Sequence, residues 1–301
     1  MPSENNRSIP AHLSDNLPLV PAMNAWEMYL TDQGRSPHTI KAFLSDVKLL
    51  GNYLAPDRSL GSMTTMDLNN FLLWLEKERG VPCSPKSLAR RITSLKSFFR
   101  WLQKGGVILI DPAEKILQRS VISPLPEVLT EEEVARTLLA ADRHRRLPKP
   151  DARPYTLLSL LLSTGVKKSE CLGIHINHID MSHPGGAFVF VRYASPANRY
   201  KERKIQLGDE WLAAYQEYLQ QYIPVDQLFP WSPRRLEYLL EDIGREAGLQ
   251  KHLSFDMCRW TASLLDLMNN VEVDSIRQKL GISKIQWREV HNKLRQLTAN
   301  S

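Results

Sequence analysis

The residue types in this chain best suited to chemistry are cations placed to hold phosphate. Between Ser84 and Lys104 stand Lys86, Arg90, Arg91, Lys96, Arg100 and Lys104, with no acid among them. Arg199, Lys201 and Arg203 form a second basic group after Asn198, and Lys167-Lys168 and Arg234-Arg235 are adjacent pairs. Fixed positive charge neutralises phosphates and releases their counterions, so this pattern permits a polyanion partner without demanding one. Other chemistries are poorly served. Cys83, Cys171 and Cys258 are odd in number, far apart and without CxxC spacing, which argues against a disulfide framework or zinc knuckle and for a reducing cytoplasm. His175 and His178 have the spacing of one helical face but no neighbouring cysteine or acidic third ligand; a surface position is expected of them, and no metal or organic cofactor.

These cations need elements to aim them. Lys plus Arg total 39 against 33 Asp plus Glu, a net +6, and +5 of it falls between residues 20 and 120. Ser84-Pro85 reads as a helix start and Gly105-Gly106 as its end. At about 100° per residue, Leu88, Ile92, Leu95, Phe98, Phe99 and Leu102 share one arc, while Lys86, Arg90, Lys96, Arg100 and Lys104 gather on the opposite one. Only Arg91 is out of place. An ordinary solvated face mixes Glu with Lys, so a face of one sign leaves phosphate contact and a merely solvated surface as equal readings.

The 301 residues, 43% hydrophobic and 24% charged, suit two soluble domains with ordinary cores, and no run of 18 apolar residues spans a bilayer. Residues 1–19 lack the features of a signal peptide and are expected to be a loose tail. Residues 20–119 are expected to form a helical domain, with helices over Pro21–Leu30, from Ser36-Pro37 to Leu54, over Met66–Glu78 after a Thr65 cap, and after Ser84. Lys41 and Lys48 lie on the second of these. Residues 120–129 read as a linker, and residues 130–301 as a second domain opened by a Thr130–Glu133 capping box. There Tyr155–Ser163 is an apolar helix ended by Gly165. Ala187–Tyr193 and Lys204–Leu207 alternate as strands, and helices are expected at Ser169–Leu172, Ser232–Ala247, Phe255–Met268, Val273–Lys279 and Ile285–Leu297.

In this order the motifs resemble the tyrosine recombinase, or phage integrase, family from about Val20 to Leu297. SPHTIKAFLSDVKLL and SLARRITSLKSFFRWL resemble its core-binding domain. VLTEEEVARTLLAA, LLSLLLSTGVKKSECLGIHINHID, YKERKIQL, LSFDMCRWTASLL and KLGISKIQW resemble its catalytic domain in unbroken order. The resemblance implies a mainly α, two-domain fold. A helical, SAM-like core-binding bundle would lie on one face of duplex DNA, and a mostly α catalytic-type domain with a small antiparallel sheet on the other.

In that family a tyrosine attacks a phosphodiester, two arginines hold the phosphoryl oxygens, and a lysine and histidines handle protons. Carried over, the first arginine falls on Lys167, the strand-turn lysine on Asn198, the HxxR pair on Asp256 and Arg259, the LGH histidine on Ile282 and the nucleophile on His291 or an immediate neighbour. No tyrosine stands between Tyr238 and Ser301. Of these positions Arg259 alone is unchanged. The expectation is a DNA-binding protein that does not cleave, with an accessory, architectural or regulatory role in recombination, integration or a mobile element. It would be cytoplasmic and nucleoid-associated, self-associating or paired with a partner recombinase, with no membrane and no small-molecule substrate. Its DNA contacts would come from Lys41, Lys48, Lys86, Arg90, Arg100, Lys104, Lys167, Lys168, Arg199, Lys201, Arg203, Arg234, Arg235 and Arg259, with an Asp256–Arg259 ion pair as a counterweight. The alternatives are an active recombinase using His291 or a displaced Tyr193, Tyr200 or Tyr238, and a protein-interaction module.

Overall fold

Three helices begin at a serine followed by proline, for the same reason each time. In the computed structural model, which describes residues 13–81, 83–117 and 124–299, Ser36 Oγ accepts from the Thr39 amide at 3.1 Å, Ser84 from Ser87 at 3.2 Å and Ser232 from Arg235 at 3.2 Å. Each hydroxyl satisfies a first-turn N–H that has no partner within the helix, and the proline has no N–H to satisfy. The chain divides into two units, residues 1–123 and 124–301.

The first unit holds α1 (Leu19–Asp32), α2 (Pro37–Tyr53), α3 (Thr65–Lys77) and α4 (Pro85–Lys104). The apolar arc read on α4 is buried from Leu88 to Leu102, against Trp26, Val47, Leu50 and Phe71. A polar clamp crosses this core: buried Asp46 of α2 accepts from Ser94 Oγ at 2.8 Å and from Arg90 at 2.6 Å. The cap of α3 is one residue earlier than expected. Thr64, not Thr65, takes it, because Asp67 returns its carboxylate to the Thr64 amide at 2.8 Å in a capping box. The expected tail is also shorter. Its residues 1–12 lie outside the described residues, but Leu13 is buried in the bundle, the Leu60 amide donates to Leu17 at 2.9 Å and the Gly61 amide to Asp15 at 2.8 Å.

The second unit holds α5 (Glu131–Arg143), α6 (Arg153–Thr164), α7 (Lys168–Leu172), β1 (Ile179–Asp180), β2 (Phe188–Val191), β3 (Arg203–Gln206), α8 (Asp209–Tyr222), α9 (Pro233–Glu246), α10 (Phe255–Met268), α11 (Val273–Leu280) and α12 (Lys284–Ala299). The apolar α6 is buried as its composition requires, packed by α5, α8 and α10. The strands form an antiparallel sheet in the order β1-β2-β3, with Val189 opposite Ile205 and Phe190 opposite Lys204. Two elements had no counterpart in the sequence reading. β1 is two residues long, too short for alternation to show. α8 buries Trp211, Ala214, Tyr215 and Tyr218, a helical stripe behind the first-turn acids Asp209 and Glu210, which suit the positive end of the helix. Residues 120–123 of the expected linker lie outside the described residues, and its far end is pinned. Leu129 is buried and donates its amide to Thr261 at 2.9 Å, and Lys251 reaches the Val128 carbonyl at 2.6 Å.

Candidate functional site

Gly165 stops α6 with φ +60, a conformation that favours glycine. The chain can then turn at once into α7. That turn places Glu170, whose side chain is fully buried, under a group of cations. The Glu170 carboxylate accepts from both terminal nitrogens of Arg203 at 3.0 and 2.9 Å, from the Lys167 amide at 2.8 Å and from the Tyr193 hydroxyl. Burial pushes its pKa up, but the hydrogen bonds and charge of Arg203, with Tyr193 and the Lys167 amide, outweigh this and hold it at about 2. Tyr193 responds in the opposite sense: burial and the anion beside it push the phenol up to about 12.

Arg259 of α10 arrives from the other side. Its Nη1 donates to the Gly165 carbonyl and lies 3.9 Å from Glu170, and its Nη2 donates to the Leu280 carbonyl at 2.8 Å. Burial draws its pKa down to about 10, with Glu170 opposing. Lys167 is half-buried, and burial with the charge of Arg259 lowers its pKa too. Lys201 donates to Asn198 Oδ1 at 2.8 Å and lies over the Tyr200 ring at 5.1 Å. A lysine ammonium therefore stands beside the position where the resemblance placed one, although Asn198 itself carries no proton to give.

Of the expected site residues, the fold gathers Lys167, Arg203 and Arg259 around one carboxylate, while Lys201, whose charge acts on Lys167, holds Asn198. Three corrections follow. The internal partner of Arg259 is Glu170 rather than Asp256, which is exposed on the first turn of α10. Arg203, expected against DNA, has a side chain only 9% exposed and is bound to Glu170 and the Lys279 carbonyl; a buried acid needs that guanidinium more than solvent does. Arg90 is exposed on the polar face of α4, but its guanidinium is not free: Nη1 donates to Asp46 and to the Ala42 carbonyl. Ile282 packs on the small core of Leu264, Ile276, Leu280, Trp287 and Leu294, and the His291 ring stacks on Trp287 at 5.3 Å.

The remaining cations face solvent. Lys41, Lys48, Lys86, Arg100, Lys104, Arg199 and Arg235 are exposed and make no ion pair among the described residues. Lys168 pairs with Glu237 at 2.5 Å, and Arg234 donates to the Tyr238 hydroxyl at 2.7 Å. Lys96, Arg100 and Lys104 line a shallow cavity of about 330 Å³ beside Tyr29. An open cavity of about 820 Å³ runs from Glu170 and Asn198 past Arg192, Arg199 and His178. His175 is bonded to Asp226 at 2.7 Å, and burial with the neighbouring His175 lowers the pKa of His178. Among the described residues no group of three His, Cys, Asp or Glu side chains is placed to hold a metal ion, and no helix is long and apolar enough to cross a membrane. The carboxylate at the centre was readable as the Glu of the KKSE motif, but nothing in the sequence marked Arg203 and Tyr193 as its partners.

Comparison with known proteins agrees with this organisation. The profile of the phage integrase N-terminal SAM-like domain matches residues 23–106, and that of the phage integrase family matches residues 127–292. Tyrosine recombinase XerD of Listeria innocua is 24% identical over 291 residues, 89% of this chain and 92% of that protein. Tyrosine recombinase XerC of Mycobacterium bovis is 31% identical over 188 residues, 62% of this chain and 60% of that one. The fold is similar to that of a lambda integrase dimer bound to a COC′ core site, with TM-score 0.71 at 16% identity over 92% of this chain and 78% of that one. It is equally similar to XerH recombinase in a post-cleavage complex with palindromic difH, with TM-score 0.71 at 18% identity over 92% of this chain and 83% of that one.

Proposed function

We propose, from the premise that this chain belongs to the phage integrase family, that it holds duplex DNA without cutting it and serves recombination in an accessory, architectural or regulatory role. The observation that carries this reading is His291. It stands where the family's nucleophile is expected, its ring is stacked on Trp287, and no tyrosine lies between Tyr238 and Ser301. The supporting charges are also diminished. Lys167 supplies an ammonium in place of a planar fork, and Arg259 has donors engaged with two backbone carbonyls and a carboxylate beside it. Loss of one preorganised donor at a centre of developing charge costs about 3 kcal/mol of barrier.

Binding asks less. The seven exposed, unpaired cations need only meet phosphates, and if all engage, log K falls with log[salt] with a slope of roughly −6. In this reading residues 20–119 are the core-binding module and residues 130–301 the catalytic-type domain. The solved relatives with bound DNA supply the precedent, and self-association or pairing with an active recombinase would bring it to a synapse.

A second reading, an active recombinase, is favoured by the similarity to XerD along 89% of the chain and by Lys201 beside Asn198. Incubation with a nicked suicide duplex separates the two. No denaturant-resistant protein–DNA adduct is expected; an adduct that disappears in His291→Ala would establish the second reading and overturn the first. If duplex binding is absent at low salt, both readings fail and a protein-interaction module takes their place.

A further inference from the structure

The outer face of the sheet carries a feature that duplex binding does not use. Along β2, Val189 and Val191 point into the core and are buried, so Phe188 and Phe190 share the other face, about 7 Å apart. Neither ring belongs to any of the three cores. Each is half-buried beneath a cation: Lys204 Nζ lies 4.3 Å from the Phe188 centroid, and the Arg192 guanidinium 5.2 Å from that of Phe190. The exposed His183 ring meets Phe188 edge-on at 5.1 Å. Asp180, opposite Phe188 in the register, is the acid of this face, and it accepts from the amide and hydroxyl of Ser182 at 2.9 Å.

We propose that this face binds unpaired bases of single-stranded nucleic acid, with two bases stacking on Phe188 and Phe190 and the backbone following Arg192 and Lys204. Two aromatic rings at adjacent same-face positions of a strand, interleaved with cations, are what sequence-tolerant stacking on a sheet requires. A protein partner seated by apolar burial would favour an apolar surround, which Lys204, Arg192, His183 and Gln206 do not supply. The long cation side chains move aside at little cost and reach phosphates from where they stand. The inference is independent of the duplex reading, since it uses none of the same side chains.

The test uses the full chain and a single strand of about 12 nucleotides containing 2-aminopurine, beside the duplex of the same sequence. Quenching of the probe is expected, with Phe188→Ala and Phe190→Ala each weakening single-strand binding about tenfold and leaving the duplex within about twofold. Phe188→Leu and Phe190→Leu, which keep apolar bulk and remove the π face, should lose as much, so the result does not hang on how well the alanine variants fold. Lys204→Ala should lower the single-strand salt slope by about 0.7. An unquenched probe, leucine variants that bind like wild type, or equal losses for single strand and duplex would overturn the proposal.

Discussion

Replacing Glu170 with Gln should destabilise the second unit by about 3 kcal/mol at pH 7. The magnitude comes from the carboxyl itself. Its pKa falls from 4.5 to about 2, and a depression of that size is a contribution of about 3 kcal/mol from the ionised form. Removing one partner of a buried pair costs about 3–5 kcal/mol by the other route, since Arg203 and Arg259 would remain buried beside Lys167 without a counter-charge. The sign follows from the direction. A depressed carboxyl stabilises the fold fully above about pH 4.5, and that contribution drains away as pH falls towards 2. Urea unfolding of the full chain, followed by tryptophan fluorescence, should therefore show the full gap at pH 7 and about half of it at pH 3. In a thermal scan the pH 7 gap should appear as a drop of roughly 6–12 °C for a unit of this size. A loss below about 1 kcal/mol at pH 7, or the same loss at both pH values, would refute the placement of Glu170 as the anion that holds these cations together.

Asp46 contrasts with Glu170, because burial raises its pKa against Ser94, Arg90 and Arg91; Asp46→Asn should cost less at pH 7 than Glu170→Gln, and an equal or larger loss in denaturant melts would contradict this. Gly281→Ala puts a Cβ 2.5 Å from Arg203 Nη1 and 3.1 Å from the Lys201 carbonyl at φ +60. It should cost about 2–4 kcal/mol, well above Gly34→Ala, where φ is +67 with nothing within 4 Å and left-handed strain of about 1–2 kcal/mol acts alone; equal melting shifts would remove the steric reason. Arg100→Glu with Lys104→Glu should weaken duplex binding and lower the salt slope by about 2 without moving the melting temperature. Arg90→Glu, by contrast, should lower the melting temperature by setting a second carboxylate against Asp46, and a thermally neutral result would show that the Arg90–Asp46 contact contributes nothing to stability.

The element order was largely legible because its signals are local. Ser36, Ser84 and Ser232 announce their helices within three residues, Gly165 ends one by its own backbone freedom, and the α4 arc is a matter of periodicity. The site was legible only in part. Motif order singled out Lys167, Asn198, Asp256, Arg259, Ile282 and His291 as the positions to examine, because a side-chain type is visible wherever it occurs. Local charge counting treats every basic side chain as free, so it could not show that Arg90 and Arg203 are engaged by Asp46 and Glu170, 44 and 33 residues away.

The sequence by itself determined which helices form, which faces of them are apolar, and that no tyrosine follows Tyr238 as far as Ser301. These follow from backbone preferences, periodicity and composition, all of which act over a few residues. Tertiary structure alone decided which cations remain available. A buried carboxylate engages whichever guanidinium packing brings within reach, because desolvation leaves it in need of a counter-charge.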